Sequence, residues 1–137
     1  REVGHLSTKF YFESSLDEDF KIRTNESVLR RIITPLLDNA VKNTDDGEVR
    51  MICTKTTDQL VIAIEDTGRG IPAEEAEHIF ERFVKLDNFK EGMGIGLTYC
   101  RSMANRLGGH VRLDTSYAGP GARFEIMIPL VKKEEKA

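Results

Sequence analysis

Asn-Glu-Ser-Val-Leu-Arg-Arg-Ile-Ile-Thr-Pro-Leu-Leu-Asp-Asn-Ala-Val-Lys-Asn-Thr, residues 25–44, is the stretch on which the reading of this chain turns. Val28, Leu29, Ile32, Ile33, Leu36, Leu37, Ala40 and Val41 recur at intervals of three and four. That period predicts a helix with one buried face, capped by Asn25 or Thr24. Pro35 falls inside it. Its ring removes an amide donor and crowds the carbonyl four residues back, so a kink or distorted turn is expected near Arg31. Near the helix end, Asn39 and Lys42 stand three apart on one face, polar groups beside Ala40 and Val41. The plain reading is a solvated helix end. The sharper one is an anion site: a neutral amide oxygen suits magnesium, which keeps waters and bridges phosphates, and a lysine offers phosphate a point charge.

Upstream, Lys9 to Glu13 and Asp17 to Thr24 read as two short strands around a Ser-Leu-Asp turn, a first hairpin. Downstream, Glu48 to Thr56 and Gln59 to Asp66 are β-rich runs joined at Thr57-Asp58, a second hairpin. Ala73 to Phe80 reads as a short helix with an acidic first half, which suits its N-terminal dipole. Val84 to Met93 has neither period and reads as a surface segment. Gly94 to Leu107 resumes helical spacing and stops at Gly108-Gly109. His110 to Tyr117 and Ala122 to Leu130 form a third hairpin around Ala-Gly-Pro-Gly. About three helices and six or seven strands in hairpins predict an α+β two-layer sandwich, a mixed sheet covered by helices on one face.

At 137 residues, with 39% hydrophobic residues, one domain is expected. Its bounds are set at 1–131, with 132–137 as a charged tail. A net charge of -3 argues against a bulk preference for nucleic acid, so any phosphate must be held locally. Cys53 and Cys100 fall in apolar runs away from metal-ligand spacing and read as small buried hydrophobes in a reducing compartment. No stretch approaches the roughly 20 apolar residues of a membrane span, and Arg1 to Ser7 lacks a signal-peptide core, so the fragment is expected to be soluble.

Two further features carry chemistry. Asp66 ends the apolar run Val61 to Glu65 directly before a turn containing Gly68 and Gly70. As a turn former it needs no further role. As a partly buried acceptor it would take a hydrogen bond from the exocyclic amine of adenine and repel the oxygen guanine carries there. Gly92-Met93-Gly94-Ile95-Gly96-Leu97 enters a helix, where small residues let backbone amides approach a phosphate. The cluster is not a Rossmann fingerprint or a P-loop, because no β-run leads in and no Lys-Ser/Thr pair follows.

In order along the chain stand Leu-Leu-Asp-Asn-Ala-Val-Lys-Asn-Thr (36–44), Asp-Thr-Gly-Arg-Gly-Ile-Pro (66–72), Ile-Phe-Glu-Arg-Phe-Val-Lys-Leu-Asp (79–87), Gly-Met-Gly-Ile-Gly-Leu (92–97) and Gly-Ala-Arg-Phe (121–124). The series resembles the N box, first glycine box, F box, second glycine box and closing glycine motif of histidine kinase ATPase domains. Those domains belong to the GHKL superfamily with gyrase, the heat-shock chaperone and MutL. The resemblance implies a Bergerat-type fold that binds ATP and magnesium. It gives Asn39 the magnesium and Lys42 a phosphate, and sets Asp66 against adenine with Gly68 and Gly70 allowing close approach. Phe80 and Phe83 would anchor a lid, in which Gly92, Gly94 and Gly96 allow folding over the nucleotide. Arg82 or Lys85 would reach the terminal phosphate. Asn43, Ile71, Ile95 and Leu97 complete the implied cofactor-binding set.

Departures from the family pattern bear on the reaction. Pro35 stands where histidine kinases usually have Asn and gyrase-like enzymes the Glu that activates water, which favours phosphoryl transfer over hydrolysis. Asn43 replaces a common aromatic, and Met93 a usual Thr or Ser. The implied reaction moves the ATP γ-phosphoryl group to a histidine. His5, His78 and His110 lack a phosphoacceptor context, so that acceptor is expected on dimerisation helices outside this sequence, with a response-regulator receiver downstream. The whole protein is expected as a homodimer anchored in the inner membrane, and the fragment as a monomer in the cytoplasm. A gyrase-like ATPase and a degenerate nucleotide-binding or partner-interaction module stay open as alternatives.

Overall fold

The periodic stretch forms helix α1, Glu26–Lys42. Asn25 is the cap, its Oδ1 accepting the Val28 amide at 3.1 Å. The helix runs unbroken through Pro35. Ile32 and Leu36, flanking it, are fully buried, and their packing keeps the chain helical where the ring removes one internal hydrogen bond. The structure is a computed structural model describing residues 8–18, 20, 22, 24–44, 46–80 and 93–130.

Around α1 lie strands β1 (Lys9–Ser14), β2 (Glu48–Lys55), β3 (Gln59–Asp66), β4 (His110–Leu113) and β5 (Arg123–Pro129), with a second helix, α2 (Met93–Arg106). They form one mixed sheet in the order β1-β2-β3-β5-β4. The second and third hairpins form as read: β2 with β3, and β4 with β5, are antiparallel. The first does not. β1 pairs with β2 in parallel, and none of the described residues within 17–24 lies in a strand. Leu16, Phe20 and Ile22 instead pack against the core, and α1 then makes the crossover that a parallel pair requires. The described residues thus hold five strands where six or seven were expected.

The short helix expected at Ala73 to Phe80 is two single 3₁₀ turns, Ala73–Glu75 and His78–Phe80. Its buried residues, Ile79 and Phe80, are adjacent at one end; without spaced apolar contacts an eight-residue α-helix cannot offset its nucleation cost.

Register shows why one face is covered. Val49, Cys53, Ile62, Ile64, Phe124, Ile126, Val111 and Leu113 fall in matched rows and pack with Ile32, Leu36, Leu97 and Cys100 of the helices into one core. On the other face, Arg123 pairs with Glu65, Asp114 and Glu125, and Arg112 with Glu125. Leu36→Ala is expected to lower unfolding free energy by about 2–5 kcal/mol, since the site is fully buried and cannot collapse; the shift in urea midpoint measures it.

Candidate nucleotide site

Asp66 ends β3, and because Glu65 faces Arg123 in the ladder, the turn preceding β5 falls against it. The Asp66 amide donates to the Ala122 carbonyl at 2.9 Å. Its carboxylate Oδ1 accepts the Gly68 amide at 2.8 Å and the Ala122 amide at 3.4 Å. The residue is 4% exposed. Burial pushes the carboxyl pKa above its ordinary value, and the two amides, which favour the charged form, offset this in part. The result is a buried acceptor held by backbone alone.

The turn can sit there only because of its glycines. A methyl group at Gly68 would lie 2.0 Å from the Asn43 carbonyl oxygen, so the C-terminus of α1 abuts the Asp66 turn directly. Gly121, at φ +82°, packs as closely on the other side, where a methyl would meet the Asp66 carbonyl oxygen at 2.0 Å. Gly70 abuts the backbone of Gly121. Asn43, Asp66, Gly68, Gly70 and Gly121 therefore lie together, with Asn39 one turn back along α1, its carbonyl accepting the Asn43 amide at 3.0 Å. Ile71, Gly121 and Ala122 line a cavity of about 100 Å³ beside them.

At that junction the end of α1 carries polar atoms with no internal use. Asn39 Nδ2, Asn43 Oδ1 and Thr44 Oγ1 are buried and lack a hydrogen-bond partner among the described residues. Buried polar atoms are seldom left so, since each costs about 1–3 kcal/mol. Three of them fall within six positions at the end of α1. Lys42, by contrast, is exposed in the last turn.

The second glycine box opens a helix as expected. α2 begins at Met93, which puts the amides of Gly94, Ile95 and Gly96 in its first turn, where no carbonyl of the helix can take them. Leu97 is fully buried in the core, so its side chain holds the helix in place. Phe80 is gripped from α2: its carbonyl accepts the Thr98 hydroxyl at 2.9 Å, and the Arg101 guanidinium lies 4.1 Å from its ring centre. Arg82, Phe83, Lys85 and Gly92 lie outside the described residues. Thr44 and Gly121 stand within the motifs quoted from sequence but were given no role there. Gly121 opened a motif whose amide contact with Asp66 depends on strand register.

A buried carboxylate on a glycine turn, a helix end bearing side-chain amides beside it and a second helix opened by glycines are the features of a nucleotide-binding ATPase domain. Residues 24–132 match the model of the histidine kinase-, DNA gyrase B-, and HSP90-like ATPase family, and the chain belongs to that family. Within it, the chain is of the sensor histidine kinase catalytic type. It is 36% identical over 126 residues to the adaptive-response sensory kinase SasA of Microcystis aeruginosa, covering 88% of this chain and 33% of that protein. It is 33% identical over 115 residues to the alginate biosynthesis sensor protein KinB of Pseudomonas aeruginosa, covering 83% of this chain and 19% of that one. The structure of full-length ShkA in complex with AMPPNP superposes with a TM-score of 0.81 at 27% identity, over 96% of this chain and 27% of that chain. The chain thus spans about a third or less of the curated relatives named here. Among the described residues, no helix is long and apolar enough to cross a membrane.

Proposed function

We propose that this domain, residues 1–131 with a charged tail at 132–137, binds magnesium-ATP and donates its γ-phosphoryl group to a histidine on a separate dimerisation helix of the same protein. The observation that carries the reading is the buried Asp66 carboxylate set beside the unpartnered polar atoms of Asn39 and Asn43. Asp66 accepts the adenine amine, while the first-turn amides of α2 and Lys42 take the phosphates. Asn39 fits magnesium by its chemistry: a buried neutral amide whose oxygen suits an ion with phosphate and water as its remaining ligands, while its unpartnered Nδ2 can only donate, as to a phosphate oxygen. Magnesium, when bound, neutralises charge on the phosphates; this chain's own residues position them.

In the transfer, the imidazole nitrogen forms a bond to phosphorus as the bond to the ADP oxygen breaks, and ADP leaves with that electron pair. With Pro35 inside α1, the position a gyrase-like enzyme gives to its base has no proton acceptor, which favours transfer over hydrolysis. The phosphate then passes to a response-regulator receiver. The whole protein is a homodimer, its membrane anchor lying elsewhere and this domain in the cytoplasm.

The test supplies labelled ATP, magnesium and a separate histidine-bearing helical hairpin. Label should reach the hairpin, and Asn39→Ala should slow transfer by roughly 100-fold, as loss of a charge-positioning group does. Saturable heat of ATP binding without transfer would point to the binding-module alternative; release of free phosphate without the hairpin would point to hydrolysis.

A further inference from the structure

Edge strand β1 presents Phe10, 60% exposed, Tyr11, 41%, and Phe12, 65%. Lys9 donates inward to Gly47 at 2.8 Å and Ser15 to Cys53 at 3.0 Å. Alternation along a parallel ladder then turns Tyr11 and Glu13 inward as well, and leaves the amides and carbonyls of Phe10 and Phe12 on the outer edge, which no strand among the described residues covers. Phe10 and Phe12 pair with Val49 and Met51, and so share the helix-covered face. There Met51 joins Leu29, Ile33 and Leu37 of α1 around an apolar groove of about 390 Å³. Tyr11 lies on the opposite face, its ring 4.9 Å from the Arg50 guanidinium.

The sequence of this edge, Lys9-Phe10-Tyr11-Phe12-Glu13, reads the same from either end with its charges reversed. We propose that β1 is a self-association edge, through which two copies of the chain pair antiparallel about a two-fold axis at Tyr11 and join their sheets into one. In that register Lys9 faces the partner's Glu13, Phe10 faces the partner's Phe12, and Tyr11 faces the partner's Tyr11. Opposed residues point to one face in an antiparallel pair, so both charge pairs fall beside the tyrosines and both phenylalanine pairs beside the α1 groove. Phe10 and the partner's Phe12 become a hydrogen-bonded pair through the groups the edge leaves outward. A slip of two residues sets Lys9 against the partner's Tyr11 and parts both charge pairs. A slip of one sets the outward amides and carbonyls of Phe10 and Phe12 against residues whose own backbone groups are turned toward β2. A heterologous strand has no reason to match a palindrome, whereas a two-fold contact demands self-complementarity. The expected solution state is therefore a concentration-dependent dimer in place of the monomer read from sequence.

Sedimentation velocity over a concentration series, with the 137-residue chain, tests this. The unaltered chain should pass from monomer to dimer. Lys9→Glu and Glu13→Lys should each remain monomeric, because like charges then face across the axis. An equimolar mixture of the two variants should dimerise, since only the mixture sets opposite charges at both pairs. Within one copy Glu13 also pairs with Arg50, which keeps Glu48, 3.3 Å away, when Glu13 is replaced. Amide exchange on the unaltered chain supplies a readout that needs no variant: Phe10 and Phe12 should slow severalfold as concentration rises, with Tyr11 unchanged. A chain that stays monomeric throughout, single variants that dimerise like the parent, or a dimer without protection at Phe10 and Phe12 would each overturn the proposal.

Discussion

Asp66→Asn is expected to abolish ATP binding while leaving the fold as stable as the parent or more so. Both amides that hold this side chain converge on one oxygen, Gly68 at 2.8 Å and Ala122 at 3.4 Å. An asparagine keeps those contacts by placing its own oxygen there, which aims its NH₂ where the adenine amine must donate. Two donors then meet in a buried place. Loss of a hydrogen bond to a charged acceptor together with an unsatisfied donor comes to about 3–5 kcal/mol, on the order of a thousandfold in Kd. Calorimetry with ATP should return no saturable heat, and the parent should not accept guanosine triphosphate. Equal binding of the two nucleotides by the parent would sink the assignment of Asp66.

The stability half of the prediction follows from linkage. Burial raises the folded-state pKa of Asp66 above its unfolded value, so its ionised form subtracts from stability above the folded pKa. That subtraction fades as pH falls through the folded pKa toward the unfolded one, because the folded protein takes up the proton first. The neutral amide of the variant carries no such charge. Tm for Asp66→Asn should therefore equal or exceed the parent's at neutral pH, with the gap closing in acid. ATP affinity of the parent should decline over the same window, beginning at higher pH than for an ordinary aspartate.

What could be read from sequence divides along the distance between the residues concerned. The spacing from Val28 to Val41 predicted α1 because a helical face is written into neighbours, and the turn at Thr57-Asp58 predicted its hairpin for the same reason. β1 failed that test. Its partner is β2, beyond a helix, and nothing in Lys9 to Ser14 distinguishes a parallel partner from the run that follows. The site divides in the same way. Asp66, Gly68 and Asn39 sit in contiguous motifs and could be put forward from sequence alone. Thr44 entered only when burial exposed its unpartnered hydroxyl, and Gly121 only when the β3–β5 register set it on Asp66. Such placements belong to the sheet as a whole, so no window along the chain contains them.

Gly121 supplies the second large expected effect. Alanine there is penalised twice. At φ +82° an L side chain enters the left-handed region, at roughly 1–2 kcal/mol. The added methyl would also stand 2.0 Å from the Asp66 carbonyl oxygen and 2.6 Å from Oδ1, inside a ladder where the Asp66 amide is already bonded to Ala122. Neither neighbour is the free end of a flexible side chain, so the backbone must part, at about 1–3 kcal/mol more. Gly121→Ala should thus lose about 2–5 kcal/mol of unfolding free energy, much of a typical domain's roughly 5–15 kcal/mol. Gly108→Ala is the control. Its φ of +77° is nearly the same, but its nearest neighbour, Pro129 Cγ, lies 3.6 Å away in ordinary contact. Only the conformational part should appear there, and ATP binding should be untouched. The difference between the two variants in urea midpoint isolates the crowding at Asp66. If Gly121→Ala proves no worse than Gly108→Ala and still binds ATP, the turn before β5 has no part in presenting the carboxylate.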